Sequence, residues 1–272
     1  MGGNSKGTVL ITGATKNTGL ATAKRFAREG YNVAITSRSA ASAEKAARSL
    51  ALEYGVKAIG YAMQMNDVAD IKRIFSAVNS DFGGLTVLVC NAAHLGIDYS
   101  ILNSNEQMYS EVMDVNIRGN FFCCQCAAEI MKNKHKGAIV VIGSVHRGQV
   151  VQDRALYTIS KGALLSMVKS MAIELGIYGI RANYIAAGAI HTERWDEIDS
   201  KTVASKRAAY PIGRESMPEE IAEAVYFLGS ELSPTVTGTE LVIDSGVTDC
   251  LLPFSPPKDY YTRRINNENN RC

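Results

Sequence analysis

The sequence lacks the features that would indicate a membrane, secreted or nucleic-acid-binding protein. No stretch approaches the ~20 apolar residues that a membrane-spanning helix requires. The apolar segment near the N-terminus is too short for a signal peptide. Net charge is also small, since 29 Lys and Arg against 27 Asp and Glu give +2, which favours neither a nucleic acid nor a membrane surface as partner. These absences predict a soluble, cytoplasmic protein.

The six cysteines lack the paired spacing of a zinc site. Cys123 and Cys126 form one C-x-x-C pair, and no second pair accompanies it. Both lie in the apolar segment GNFFCCQCAAEIMK, which we interpret as a buried helix, so we expect small core residues rather than a redox or metal site. No metal is therefore predicted, and the cysteine pattern fits a reducing compartment.

Apolar runs that favour strands alternate with segments of helical periodicity. The predicted strands are 8–12, 31–37, 57–63, 85–90, 137–143, 180–186 and 239–245. The predicted helices are 18–29, 40–54, 68–81, 105–132, 155–178 and 218–230. Continuous apolar strands separated by helices indicate parallel strands that are buried on both faces. The pattern predicts an α/β protein with a doubly wound, seven-stranded parallel sheet and helices on both faces.

No linker or internal repeat interrupts this alternation, so we predict a single domain over residues 5–249. Two segments do not follow the pattern. Residues 191–216, here called the lid, are polar and follow the sixth strand, and loops of that length usually cover a binding site. Residues 250–272, the tail, contain Phe254, Tyr260 and Tyr261. We expect the tail to be partly disordered or docked on a neighbouring subunit.

The segment TGATKNTG, residues 12–19, connects the first strand to the first helix. Backbone N–H groups at such a helix N-terminus, together with the helix dipole, favour an anion such as a pyrophosphate. Threonine hydroxyls and Lys16 add donors and a positive charge. A strict G-x-G-x-x-G is absent because Asn17 stands where a glycine is expected, yet asparagine adopts a positive φ more readily than most residues. We interpret the segment as a phosphate-binding loop rather than a turn without a ligand.

The end of the second strand indicates which dinucleotide would bind. An acidic residue at this place binds the ribose hydroxyls of NAD, whereas an arginine accommodates the 2′-phosphate of NADP. The sequence has Ser37 followed by Arg38 and no carboxylate there. A guanidinium group binds phosphate well, and Lys16 is expected nearby. The residues therefore favour NADP(H), with NAD(H) as the alternative cofactor.

A serine, a tyrosine and a lysine follow the fifth strand at suggestive spacing. Ser144 comes directly after the strand, Tyr157 follows thirteen residues later, and Lys161 lies four residues beyond it. Residues i and i+4 share one face of a helix. A phenol has an ordinary pKa near 10, and a nearby ammonium group stabilises the phenolate. This arrangement is suited to proton transfer at a carbonyl or hydroxyl oxygen.

Over residues 7–248 these motifs resemble the short-chain dehydrogenase/reductase family. TGATKNTG resembles its TGxxxGxG loop, CNAA (90–93) its NNAG motif, and NYIAAGAIHT (183–192) its N-x-x-x-P-G-x-x-x-T segment, in which Ala187 replaces proline. The resemblance implies a Rossmann-type fold and an oxidoreductase acting on CH–OH groups, with Tyr157 as general acid or base. The catalytic residues that it implies are Asn116, Ser144, Tyr157 and Lys161.

The resemblance and the loop arguments together define a predicted cofactor site. Its residues are Gly13, Thr15, Lys16, Asn17, Thr18, Gly19, Leu20, Ser37, Arg38, Asp67, Val68, Asn91, Ala92, Tyr157, Lys161, Ile190 and Thr192. Substrate contacts are expected from residues that flank the catalytic groups or lie in the lid: His94, His146, Gln152 and Trp195. Trp195 would either close over an apolar or ring-shaped substrate or anchor the lid to the core.

Three functions are compatible with these residues. The first is NADP(H)-dependent interconversion of a small ketone and a secondary alcohol, with a cyclic or polyol-like substrate. The second is the same reaction on a 3-oxoacyl thioester, which a basic docking patch near the lid would support. The third is a non-catalytic cofactor-binding protein. Family members commonly pair through the two long helices placed here at 105–132 and 155–178, so we expect a homodimer or homotetramer.

Overall fold

A computed structural model describes residues 5–250, which form a seven-stranded parallel sheet. The strands are β1 (Thr8–Ile11), β2 (Asn32–Ser37), β3 (Ala58–Ala62), β4 (Val87–Cys90), β5 (Gly137–Ile142), β6 (Ile180–Ala187) and β7 (Glu240–Ile243). Their order across the sheet is β3-β2-β1-β4-β5-β6-β7, and every neighbouring pair is parallel. The predicted doubly wound fold is confirmed, with strand ends that differ from the prediction by at most two residues.

Helices cover both faces of this sheet. They are α1 (Asn17–Arg28), α2 (Ala40–Tyr54), α3 (Val68–Phe82), α4 (Glu106–Met113), α5 (Asn120–Met131), α6 (Ala155–Glu174), α7 (Glu193–Asp196), α8 (Ser200–Ala208) and α9 (Pro218–Gly229). Their boundaries follow local chemistry. For example, the Ser39 hydroxyl accepts a hydrogen bond from the Ser42 amide at the start of α2, and Gly55 ends that helix with φ +68°.

Two hydrophobic cores lie on opposite faces of the sheet. Successive residues of β1 point to different sides, so Val9 and Ile11 enter one core while Leu10 enters the other. The first core packs under α1, α2 and α9, and the second packs under α3, α5 and α6. Because both faces are covered, the strands are apolar at nearly every position, which is why they read as continuous hydrophobic runs.

The predicted helix over 105–132 is present as a continuous helical segment from Glu106 to Met131, but the change of helix type in its middle was not predicted. A π-helical turn, Asp114–Gly119, separates α4 from α5. Such a turn widens the helix locally, and it is common at functional sites. Gly119 lies where a β-carbon would be 2.2 Å from the Met65 carbonyl oxygen, so the wide turn packs directly against the loop after β3. Asn116 is carried on this turn.

The predicted helix 155–178 ends earlier, at Glu174, and a 3₁₀ turn covers Gly176–Tyr178. Gly179 terminates this turn with φ +65°, and a β-carbon there would be 2.3 Å from the His135 carbonyl oxygen. The chain must therefore leave the helix to enter β6 beside that residue.

The lid is helical rather than an irregular loop, since it contains α7 and α8. The Asp199 carboxylate caps α8 by accepting hydrogen bonds from the amides of Lys201 and Thr202. The predictions for the tail, including Phe254, Tyr260 and Tyr261, lie outside the described residues. Within residues 5–250, no helix is both long enough and apolar enough to cross a membrane.

Candidate active site

A cavity of about 860 Å³ opens at the carboxyl ends of the central strands. It lies where β1 separates β2 from β4, at the point where the strand order reverses, and nucleotides bind in this place in open α/β sheets. Many predicted cofactor residues line it: Gly13, Thr15, Lys16, Asn17, Thr18, Gly19, Ser37, Arg38, Asn91 and Ala92. The structure therefore brings together segments that are almost 80 residues apart in the sequence.

The loop after β1 is held open by hydrogen bonds from its neighbours. The Thr12 hydroxyl accepts from the amides of Asn91 and Ala92, both at 3.0 Å. The Asn91 side chain returns two bonds of 2.9 Å to the carbonyl oxygens of Thr12 and Gly13. Thr36 accepts from the Gly13 amide through its hydroxyl and from the Ala14 amide through its carbonyl. The hydrogen bonds from the loop to Thr36 were not predicted, since nothing in the sequence around a strand threonine indicates that it stabilises a neighbouring loop.

The N-terminus of α1 is shaped for an anion. Lys16 precedes the helix, no side chain caps it, and its first turn carries no acidic residue. Asn17 adopts φ +47°, the conformation that its sequence position required. Gly19 is packed so closely that a β-carbon would be 2.7 Å from both the side-chain nitrogen of Asn91 and the Gly13 carbonyl oxygen. The first-turn amides therefore face a narrow cradle in which a pyrophosphate fits.

The cavity lining carries positive charge and, among the described residues, no carboxylate. Arg38 is exposed at the end of β2, beside Ser37, and it makes no ion pair within residues 5–250. Lys16 also lines the cavity, and its ammonium group contacts the Glu193 carboxylate in the lid at 3.0 Å. Both side chains of that pair are about two-thirds exposed (67% and 65%), so the contact is weak.

Two predicted cofactor residues have structural roles at α3. Asp67 caps this helix, because its carboxylate accepts hydrogen bonds from the amides of Ala69 and Asp70. Val68 is the first residue of the helix. Neither lines the cavity, although the preceding residues Met63 to Asn66 do. Leu20 is likewise in α1 behind the loop, outside the lining.

Tyr157 and Lys161 occupy one face of α6, as predicted from their spacing. The Lys161 ammonium group lies 5.3 Å from the centre of the Tyr157 ring. Lys161 is 3% exposed, and it donates to the Ile142 carbonyl oxygen at 3.2 Å. No carboxylate within the described chain pairs with this buried cation. A buried ammonium group with spare donors and no counter-ion is costly unless it serves another group, such as ribose hydroxyls.

Asn116 connects three parts of the site. Its side-chain oxygen accepts from the His94 amide at 2.7 Å, and its amide nitrogen donates to the His94 carbonyl oxygen at 2.9 Å. The same nitrogen donates to the Ser160 hydroxyl, which in turn donates to the Tyr157 carbonyl oxygen. Asn116 is fully buried, so it fixes the loop after β4 relative to Tyr157. Ser160 was not predicted, since a helical serine carries no signal by itself.

Ser144 follows β5 and is 5% exposed. Its hydroxyl accepts from the His146 amide at 3.2 Å, and the His146 ring lies 5.8 Å from the Tyr157 ring in an edge-on arrangement. His146 therefore adjoins both the serine hydroxyl, through its backbone, and the tyrosine ring, through its side chain. The Ser144 amide donates to the hydroxyl of Tyr184, on β6, at 2.9 Å. That tyrosine is a neighbour of the site that the sequence did not indicate.

The candidate substrate residues are distributed unevenly. His94 lines the cavity and stacks on Tyr99 with ring centres 5.9 Å apart, and His146 adjoins Tyr157. Gln152 is exposed on the loop before α6. Trp195 anchors the lid in this conformation, because its indole nitrogen donates to the Ile190 carbonyl oxygen at 3.1 Å and its ring stacks on His191.

A buried carboxylate near the end of the lid holds the lid's first residue and α8 together. Glu215 accepts two hydrogen bonds from the Arg207 guanidinium group, at 2.6 and 2.8 Å, and contacts the His191 ring nitrogen at 2.9 Å. The Arg207 bonds, chiefly, lower the pKa of Glu215 to about 2. This cluster fixes Thr192, which immediately precedes α7, and Ile190, which pairs with Ser216. The sequence analysis identified this segment only as polar and did not predict the cluster.

Comparison with known proteins agrees with this geometry. Residues 13–248 match a family model described as enoyl-(acyl carrier protein) reductase. The chain is 33% identical to an L-rhamnose 1-dehydrogenase (NAD(P)(+)) of Azotobacter vinelandii, covering 88% of this chain and 96% of that protein. It is 34% identical to an inactive 2-(S)-hydroxypropyl-CoM dehydrogenase 2 of Xanthobacter autotrophicus, covering 83% and 99%.

A solved structure extends the likeness. A gluconate 5-dehydrogenase from Burkholderia cenocepacia, in complex with NADP and tartrate, superposes with a TM-score of 0.85 at 28% identity. The alignment covers 91% of this chain and 97% of that one. The family model, the relatives and the shared sheet all lead to one assignment: the chain belongs to the short-chain dehydrogenase/reductase family of oxidoreductases.

Proposed function

We propose that this protein is an NADP(H)-dependent oxidoreductase that interconverts a ketone and a secondary alcohol. The observation that carries the proposal is that Tyr157 and Lys161 share one face of α6, with His146, two residues after Ser144, against the Tyr157 ring. A cavity suited to a dinucleotide lies nearby, since its lining includes Gly96, which is close to Tyr157. A bound nicotinamide supplies or accepts the hydride, which is chemistry that the protein only orients. The protein's own groups supply the proton, the oxygen contacts and the exclusion of water.

Each of these groups has a role set by its position. In the direction of ketone reduction, Tyr157 donates its phenolic proton to the carbonyl oxygen, and in alcohol oxidation it accepts that proton. The Ser144 hydroxyl donates to the same oxygen and holds it beside the phenol. Lys161 stabilises the phenolate by its charge and has donors left for ribose hydroxyls. Asn116 keeps Tyr157 in place through Ser160.

The preference for NADP(H) rests on charge in the cavity. Arg38 and Lys16 line it, and the part of its lining that the structure describes contains no carboxylate to bind the ribose hydroxyls of NAD. A guanidinium group suits a phosphate dianion, which would find no repelling group beside Ser37. One relative is named for NAD(P)(+) and one similar structure contains NADP, which supports this choice, and NAD(H) remains the alternative.

The substrate class that fits best is a small polyhydroxylated or cyclic ketone or alcohol. Two imidazole groups are available to a hydroxylated substrate, since His146 adjoins the Tyr157 ring and His94 lines the cavity. The named relative acts on rhamnose, and the similar structure is a gluconate dehydrogenase with tartrate bound. A 3-oxoacyl thioester is the second candidate, because the matching family model is described for an acyl-carrier reductase.

A non-catalytic role is the third candidate, since one relative is named as inactive. The filled positions Ser144, Tyr157 and Lys161 argue against it here.

We also propose a homodimer or homotetramer that pairs through α5 and α6. Apolar residues are exposed on these helices, with Phe121 at 48% and Ile159 at 49%. A solution mass that matches a single chain would refute this assembly.

The cofactor proposal is tested by fluorescence titration with NADPH and NADH. We expect Arg38→Ala to weaken NADPH binding about 10- to 100-fold and to leave NADH binding unchanged, because it removes charge-assisted hydrogen bonds to one phosphate. Arg48→Ala is the matched control, since Arg48 is exposed on α2 and does not line the cavity. Equal NADPH affinity in wild type and Arg38→Ala would overturn the assignment of Arg38.

The reaction is tested in both directions: by NADPH oxidation with keto sugars, cyclic ketones and a 3-oxoacyl thioester, and by NADP+ reduction with polyols and other secondary alcohols. We expect turnover on hydroxylated ketones, and a loss of about 10²- to 10⁴-fold in kcat for Tyr157→Phe with NADPH affinity retained. Turnover confined to the thioester would favour the second candidate. NADPH binding without turnover on any substrate would favour the non-catalytic role.

A further inference from the structure

A buried tyrosine lies beneath the end of β5, where the catalytic serine leaves the sheet. Tyr184, on β6, is fully buried and pairs in register with Val141 on β5. Its ring covers Gly143 so closely that a β-carbon on the glycine would be 1.8 Å from the ring carbon that bears the hydroxyl. No other residue fits at 143 while the ring is there. Gly143 and Tyr184 therefore form a matched pair.

The Tyr184 hydroxyl is placed at the junction of three segments. It accepts a hydrogen bond from the Ser144 amide at 2.9 Å. It also lies 3.2 Å from the carbonyl oxygens of both Ser144 and Lys161, and these two acceptors share its single hydrogen. Burial raises the pKa of Tyr184 above its usual value, so the group stays a neutral phenol that both donates and accepts.

The Ser144 amide depends on this hydroxyl. The backbone bonds between β5 and β6 end with the Gly143 amide, which donates to the Ile185 carbonyl oxygen at 2.8 Å. Ser144 comes next and is buried, and within residues 5–250 its N–H donates to the Tyr184 oxygen alone. Without the hydroxyl, a buried donor would lose its bond, and the serine peptide would be free to rotate.

We propose that Tyr184 is a positioning residue, which fixes the Ser144 peptide and the Lys161 backbone at their working separation through one hydroxyl group. This rests on the proposed function, in which Ser144 and Lys161 act on one substrate oxygen and its proton donor. Tyr157 lies one turn before Lys161 on α6, so the same link sets the distance between serine and phenol. Tyr184 touches no substrate atom and acts through these two residues.

The test compares Tyr184→Phe with Tyr226→Phe. Tyr226 is also buried, and its hydroxyl donates a hydrogen bond to Glu29 at 3.2 Å, but it lies on α9 against α1. We expect Tyr184→Phe to lower kcat about 10- to 100-fold with the dissociation constant for NADPH within about twofold, since misplaced catalytic groups slow the chemical step. Tyr226→Phe should keep the wild-type kcat.

A kinetic isotope effect separates positioning from partial unfolding. With NADPH deuterated at the transferred hydrogen, the isotope effect on kcat should rise in Tyr184→Phe, because hydride transfer becomes slower relative to product release. A preparation that merely contains fewer folded molecules would show the wild-type isotope effect. A kcat within about twofold of wild type, or an unchanged isotope effect, would overturn the proposal.

A second variant guards against failure to fold. Tyr184→Met also removes the hydroxyl but fills the space with a flexible side chain, and we expect the same loss of kcat. If neither variant folds while Tyr226→Phe does, the hydroxyl serves folding and the positioning role is refuted. Inactive wild-type protein would count against the proposed function, whereas an active wild type with equally active variants would overturn only the role of Tyr184.

Discussion

Replacing Glu215 by glutamine should destabilise the protein through the lid. The carboxylate is almost completely buried, with 1% of its side chain exposed, and it bridges Arg207 of α8 and His191 at the end of the lid nearest β6. A glutamine keeps the size of the side chain. It removes the charge, and one of its two oxygens becomes an N–H donor that faces the Arg207 and His191 nitrogens.

The magnitude follows from the pKa of the carboxyl group. The pKa of Glu215 falls from 4.5 to about 2, which corresponds to at most about 3 kcal/mol of folding free energy at neutral pH. Solvent reaches the Arg207 side chain, which is 43% exposed, and this weakens the pair. We therefore expect a loss of about 2 kcal/mol, or about 4–8 °C in Tm for a domain of this size.

The assay is thermal unfolding of wild type and Glu215→Gln across pH, with Glu219→Gln as the control. Glu219 is exposed at the start of α9 and makes no ion pair within residues 5–250. Because the folded-state pKa of Glu215 lies below the unfolded value, its contribution is complete above the unfolded pKa and is lost as pH falls through the folded one. The gap in Tm should be constant from about pH 6 to 8 and should narrow below about pH 5. A Tm that matches Glu219→Gln at pH 7, or a gap that does not change towards low pH, would refute this reasoning.

Two further predictions concern the cofactor loop and the asparagine. Gly19→Ala should lower the free energy of unfolding by about 1–3 kcal/mol and weaken NADPH binding in a titration, because the new β-carbon would be 2.7 Å from the Gly13 carbonyl oxygen. Gly176 has open space around it, so Gly176→Ala should change neither the stability nor the NADPH affinity. NADPH binding by Gly19→Ala as tight as in wild type would show that the cradle is looser than its geometry indicates. Asn116→Asp should lower kcat about as much as Asn116→Ala, because the carboxylate still accepts from the His94 amide but cannot donate to the His94 carbonyl or the Ser160 hydroxyl. Rescue of kcat by Asp would locate the role of Asn116 in that single accepted bond.

The sequence was sufficient for the sheet and for the catalytic spacing because both are local signals. A strand covered on both faces is apolar along its whole length, so β1 and β5 are visible without knowledge of their partners. Likewise, Tyr157 and Lys161 share a helix face by simple periodicity. Arg38 could be predicted at the cavity because the end of the second strand has a fixed place in this topology.

The elements that could not be predicted depend on contacts between distant segments. The π-helical turn at Asp114–Gly119 packs Gly119 against the Met65 carbonyl oxygen. The hydrophobic periodicity within 105–132 does not reveal this contact, because Met65 belongs to a distant segment. Glu215 was one acid among several in a mixed polar segment, and only the fold buries it against Arg207 and His191. Burial of a charge is decided by tertiary structure and not by its sequence neighbours.

The pairing of Gly143 with Tyr184 shows the same limit at the proposed catalytic centre. The two residues are 41 positions apart, and each is unremarkable where it stands: a glycine after an apolar strand, and an aromatic residue within one. Only the register of β5 against β6 places the ring over the glycine and its hydroxyl under the Ser144 amide. The residues proposed to carry out the chemistry were thus selected from their types and spacing. The residues that hold these groups in position, such as Gly143 and Tyr184, are determined by packing between strands. A variant that keeps Ser144, Tyr157 and Lys161 but changes this supporting pair should therefore keep its NADPH affinity and have a lower kcat.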